Sequence, residues 1–72
     1  MTKLGLFFAK KSINRSDVSR KTGISKTRLS ELANNINTQL KVNELYLISL
    51  AIDEDPGELL KEVCKDIKLP KI

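Results

Sequence analysis

The sequence predicts an all-α fold, five short helices around one core, on three observations. Apolar residues recur at helical spacing almost throughout the chain. Capping and stop signals divide it into short segments: Asn14, Ser25 and Asp55 stand where helices start, and Gly23 where one ends. Finally, 72 residues leave room for a single hydrophobic core, since a second would need roughly 50 residues of its own.

The first helix is read from Leu4, Phe7, Phe8 and Lys11, an i, i+3, i+4, i+7 pattern that buries the aromatic side and shows Lys3, Lys10 and Lys11 to water. Asn14 and Asp17 form a capping box at the head of a second helix, "RSDVSRKT". Gly23 stops that helix in a left-handed conformation, and Ile24 behind it folds onto the core. Ser25 caps a third helix, "KTRLSELAN", whose inward residues are Leu29, Leu32 and Ala33. Two short helices joined by a tight glycine turn make a helix-turn-helix.

The stretch "NNINTQLKV" lacks periodicity and reads as a loop, with Ile36 and Leu40 pinned inward and Asn35 taking the left-handed conformation at its start. "NELYLISLAI" follows as a nearly all-apolar fourth helix, with Leu45, Ile48 and Ile52 facing the core. The fifth opens on "DPGE", with Asp55 as cap, Pro56 at the first helical position and Glu58 three residues after the cap. It is expected to carry Leu59, Leu60, Val63, Cys64 and Ile67. Pro70 ends any helix, so residues 1–67 are expected to form the domain and 68–72 a loose tail.

Composition narrows the function. The chain has no histidine and one cysteine, which removes an intramolecular disulfide and a Cys/His zinc site. Without histidine, a glycine-rich phosphate cradle or a metal-spaced acidic cluster, catalysis has no carrier, and neither an enzyme nor a cofactor is expected. Cys64 falls on the apolar stripe of helix five, as a buried, inert thiol. The apolar run of "MTKLGLFFAKK" is too short for a signal peptide, and nothing approaches the roughly 18 apolar residues of a membrane span. The expected setting is the reducing cytoplasm.

Charge is divided along the chain. Residues 1–41 hold nine basic side chains against Asp17 and Glu31, a balance of +7; residues 42–72 hold four lysines against seven acids, a balance of −3. Such asymmetry is the electrostatic footprint of a polyanion-binding protein, with the acidic half turned away.

The segment "NRSDVSRKTGISKTRLSELANN" resembles the DNA-binding core of the phage repressor and Cro family, the xenobiotic-response-element class of helix-turn-helix regulators. The matching residues are Ser19, Gly23, Ile24, Ser25, Leu29 and Leu32, and the register extends from Leu4 to "DPGELL". The resemblance implies a compact, lambda-repressor-like five-helix domain with helix three in the DNA major groove. It implies that Lys26, Thr27, Ser30 and Glu31 meet base edges, while Arg15, Ser25, Arg28, Asn34 and Lys41 hold the backbone, Arg28 being able to reach a base as well.

General chemistry points the same way for several of these. A helix start offers free amides to phosphate around Arg15; Lys26 can donate to guanine and Thr27 can offer a hydroxyl or a methyl group. Glu31 can accept from a cytosine amino group or pair with Arg28 at i, i+3. Thr22 and Ser19 stand where the family favours leucine and alanine, tolerable if their hydroxyls find backbone acceptors. Leu47 and Leu50 stand where the family shows polar residues and are expected to point outward, as a homodimer contact. The expectation is a transcriptional repressor that binds double-stranded DNA. Its alternative is a protein-interaction module, such as an antitoxin that sequesters a toxin.

Overall fold

The computed structural model describes residues 1–71, so the last position of the expected tail, residue 72, lies outside the described residues. Five helices follow in order: α1 (Lys3–Lys10), α2 (Arg15–Thr22), α3 (Lys26–Asn34), α4 (Val42–Ala51) and α5 (Pro56–Val63). Each buries apolar residues of the stripe that its spacing predicts, α5 through Leu59. Leu4, Phe7 and Phe8 of α1 meet Val18 of α2, Leu29, Leu32 and Ala33 of α3, Leu45 and Ile48 of α4, and Leu59 of α5 in one core. Ile13, Ile24, Leu40, Ile52 and Val63 seal its edges. Helix α1 packs on α3 and α5, and α2 packs on α3 and α4.

The local signals act as their chemistry dictates. Asn14 Oδ1 accepts from the Asp17 amide at 3.2 Å, Ser25 Oγ from the Arg28 amide at 3.1 Å and Asp55 Oδ2 from the Glu58 amide at 3.0 Å. Gly23 takes φ 79°, the left-handed region, and its amide closes α2 on the Ser19 carbonyl at 2.9 Å. Thr22 meets its condition: its hydroxyl donates to the Val18 carbonyl at 2.7 Å and accepts from the Ile24 amide at 3.1 Å, so it pins both sides of the turn.

A second, non-local device fixes α3. The hydroxyl of Thr2 accepts from the Gly5 amide at 3.0 Å, capping α1, and is shared between the last carbonyls of α3, Leu32 at 2.7 Å and Ala33 at 3.0 Å. The Thr2 amide donates to the Ala33 carbonyl at 2.9 Å as well. The start of one helix therefore satisfies the orphan carbonyls at the end of another, and the two dipole ends meet with opposite sign. This approach requires glycine at position 5, where any Cβ would overlap the Ala33 carbonyl.

Four local expectations are corrected. Ile36 is not pinned inward but 86% exposed, because the connection leaves the end of α3 directed at solvent and Leu40 alone reaches the core. Asn35 is extended (φ −105°) rather than left-handed; its side chain instead accepts from the Asn37 amide at 3.0 Å and turns the chain there. The non-glycine residues with positive φ are Ser12 and Asp53, just beyond α1 and α4. Helix α5 stops at Val63, which leaves Cys64 half-buried after its last turn and Ile67 exposed, and within the helix Leu60 is exposed beside the buried Leu59. Helix α4 is also less apolar than its sequence reads, since Glu44 and Ser49 are buried in it.

Candidate nucleic-acid interface

The N-terminal turn of α3 projects Lys26 and Thr27 into solvent, and one turn on the same side follow Ser30, Glu31 and Asn34. Leu29, Leu32 and Ala33 are buried opposite, so the polar side of this helix is fixed outward by the same packing that holds it. Thr27, Ser30, Glu31, Asn34, Asn35 and Ile36 line one shallow, open depression. The face thus offers a cation, two hydroxyls, a carboxylate and amides, a donor and acceptor set able to pair with base edges.

Arg15 opens α2, half-buried, with the free amides of that helix start beside it. Ser25 uses its oxygen to accept from the Arg28 amide, which leaves its O–H to donate outward. Lys41 is exposed at the head of α4.

Arg28, expected at the DNA backbone, has its guanidinium engaged within the fold. Its Nε donates to Glu44 Oε2 and its Nη2 to Glu44 Oε1, both at 2.9 Å, a two-point fork between α3 and α4. Nη2 donates to the Gln39 carbonyl too, at 2.8 Å. The expected alternative partner, Glu31, forms no ion pair with it; the Glu31 carboxylate lies 3.5 Å from the Thr38 hydroxyl and otherwise faces solvent. Glu44 is only 8% exposed, and its Oε1 accepts from the Lys41 amide at 3.0 Å as well. The Arg28 hydrogen bonds hold the Glu44 carboxyl below the ordinary glutamate range, against the desolvation that pushes it up. In return they raise Arg28, with Glu31 contributing at a distance. Sequence alone missed this pair because the partners lie 16 positions apart.

The fold redistributes the remaining charge. Arg20 and Lys21 both pair with Asp17 on α2, and Lys3 pairs with Asp66 from the acidic half. Of the nine bases in residues 1–41, four (Lys3, Arg20, Lys21, Arg28) have carboxylate partners. The other five, Lys10, Lys11, Arg15, Lys26 and Lys41, have none within 4 Å among the described residues. Three of those five, Arg15, Lys26 and Lys41, head α2, α3 and α4.

Exposed apolar side chains group on two surfaces of the helical domain. Tyr46, Leu47 and Leu50 stand out from α4, Leu50 being 57% exposed. On another side, Leu6, Leu32, Leu40, Val42, Leu60 and Cys64 line an open apolar groove of about 480 Å³. Val42 there is 87% exposed, and Ile36 borders both this groove and the depression on α3. Sequence reading missed this second surface, because Leu60 reads as part of the apolar run of helix five and Val42 as part of the loop before helix four.

Among the described residues no cluster of His, Cys, Asp and Glu could hold a metal, and no helix is long and apolar enough to cross a membrane. A tight glycine turn, a capped third helix with a polar outward face and cations at three helix heads define a helix-turn-helix DNA-binding domain. The family model of the Cro/C1-type helix-turn-helix DNA-binding domain matches residues 3–65, and the chain belongs to that family. Comparison with curated proteins and with solved structures gave no match.

Proposed function

We propose that the protein is a sequence-specific transcriptional repressor that acts as a homodimer in the cytoplasm, laying α3 in the major groove of double-stranded DNA. Lys26, Thr27, Ser30 and Glu31 read base edges; Arg15, Ser25, Asn34 and Lys41 hold phosphates. The observation that carries this reading is the outward set at 26, 27, 30, 31 and 34 on a helix whose opposite side is buried, within a domain of the Cro/C1 type. Cations without carboxylate partners at the heads of α2, α3 and α4 support it, because such charges release counterions when they meet phosphate.

Leu47 and Leu50 are proposed as part of a twofold contact, which would set two recognition helices about 34 Å apart for successive major-groove faces. The groove beside Val42 and Leu60 offers apolar surface to a second reading, an antitoxin that binds a partner protein.

Selection of bound sequences from a random duplex pool tests the proposal. A palindromic product is expected for the wild type, a relaxed one for Lys26→Ala, and uniformly weaker binding for Arg15→Ala. Equal affinity for selected and scrambled duplexes removes base reading. Sedimentation of Leu50→Glu and Val42→Glu identifies the contact: loss of dimer in the second alone moves it to the groove.

A further inference from the structure

We infer that Arg28 is a positioning residue for DNA binding and not a phosphate ligand: locked by Glu44, it sets the conformation in which the α3–α4 connection, residues 35–41, meets the DNA backbone. The inference rests on the DNA-binding reading above. Three hydrogen bonds converge from Arg28 on Glu44 and Gln39, and a fourth joins Glu44 to the Lys41 amide. The side chain of one residue on α3 thus fixes the far end of the connection and the first turn of α4 together. Little else holds that segment. Ile36, Asn37 and Gln39 are exposed, Leu40 is its one residue packed on the core, and the Asn35 turn is local.

The segment borders the reading face, since Asn35 and Ile36 line the same depression as Thr27, Ser30 and Glu31, and it ends at the exposed Lys41. A guanidinium already neutralised by a carboxylate brings no net charge with which to displace a counterion condensed on the DNA phosphates. Leaving Glu44 for DNA would also strand a mostly buried carboxylate at the head of α4. Arg28 therefore contributes shape, and Lys41 contributes charge.

The two roles predict opposite signs. Binding of wild type, Arg28→Lys, Glu44→Ala and the double variant to the selected duplex is measured against salt, with the folded fraction of each recorded by circular dichroism. Positioning predicts that Arg28→Lys, which keeps the charge but cannot span the fork, weakens binding about tenfold, the worth of one hydrogen bond to a charged group. Glu44→Ala should weaken it comparably, the double variant no further, and the salt slope should stay at the wild-type value. Faster hydrogen exchange of the 37–41 amides in both single variants should accompany the loss. Tighter binding by Glu44→Ala, or wild-type affinity in Arg28→Lys, overturns the inference. Failure of the wild type itself to bind duplex overturns the DNA-binding reading instead, and this inference with it.

Discussion

Gly5→Ala is the substitution that most directly tests how α3 is held. An alanine Cβ would overlap the Ala33 carbonyl oxygen and crowd its carbon, so the backbones of α1 and α3 must separate. Overpacking of this kind costs about 1–3 kcal/mol, and the bonds from the Thr2 amide and from its shared hydroxyl lengthen with it, at about 1 kcal/mol for each of the two donors. The better helix propensity of alanine returns about 1 kcal/mol. The net loss is about 2–4 kcal/mol, a large part of the roughly 4–11 kcal/mol available to a domain of this length. It corresponds to a fall in Tm of about 10–25 °C.

Gly23→Ala is the matched control. Nothing lies within 4 Å of a Cβ there, so its cost is conformational alone, about 1–2 kcal/mol for a left-handed alanine. Urea and thermal unfolding followed by circular dichroism measure both. A Gly5→Ala protein as stable as the wild type, or one less affected than Gly23→Ala, refutes the end-on contact.

Two further outcomes follow from the same geometry. Because Arg28 lowers the folded-state Glu44 pKa, the folded protein binds fewer protons than the unfolded chain as Glu44 titrates. This contribution is fully present above the ordinary glutamate pKa and is lost as pH falls through the lowered one. The urea midpoint of the wild type should therefore drop more between pH 7 and pH 3 than that of Glu44→Gln; equal drops contradict the pairing. Thr22→Val should cost about 1–2 kcal/mol, because the Ile24 amide loses its acceptor at the turn. A Thr22→Val protein of unchanged stability shows that the hydroxyl is not the turn's second pin.

Much of the fold was legible because its signals are local. The capping residues Asn14, Ser25 and Asp55 and the stop at Gly23 act within four residues of themselves, and their neighbours in sequence are their partners in space. The outward face of α3 was legible for the same reason, since Leu29 and Leu32 settle which way it turns. What escaped were relations with no local mark. Thr2 and Gly5 look like an ordinary helix start, and only the arrival of the end of α3 gives them their second use. Arg28 had an acidic neighbour at i+3, the favoured helical spacing, yet its fork closes on Glu44, where both carboxylate oxygens and the Gln39 carbonyl satisfy it together. Ile36 was misplaced because an irregular segment has no period from which to read a direction.

These same relations alter the meaning of the charge balance. A balance of +7 in residues 1–41 treats every base as available to a polyanion, but the fold brings Glu44 and Asp66 across from the acidic half to meet Arg28 and Lys3, and Asp17 holds Arg20 and Lys21. On the proposed function, a base already held by a carboxylate has little to gain from a phosphate, and the proposed footprint is the smaller set headed by Arg15, Lys26 and Lys41. On the same proposal the acidic half does more than face away from DNA. Through Glu44 it holds the connection beside the outward face of α3, and it leaves uncompensated those cations that stand where helix amides and positive dipole ends already favour an anion. The proposed selectivity for one duplex over another would gain from this arrangement, because fewer free cations lower the affinity common to all sequences while the outward face of α3 is left intact.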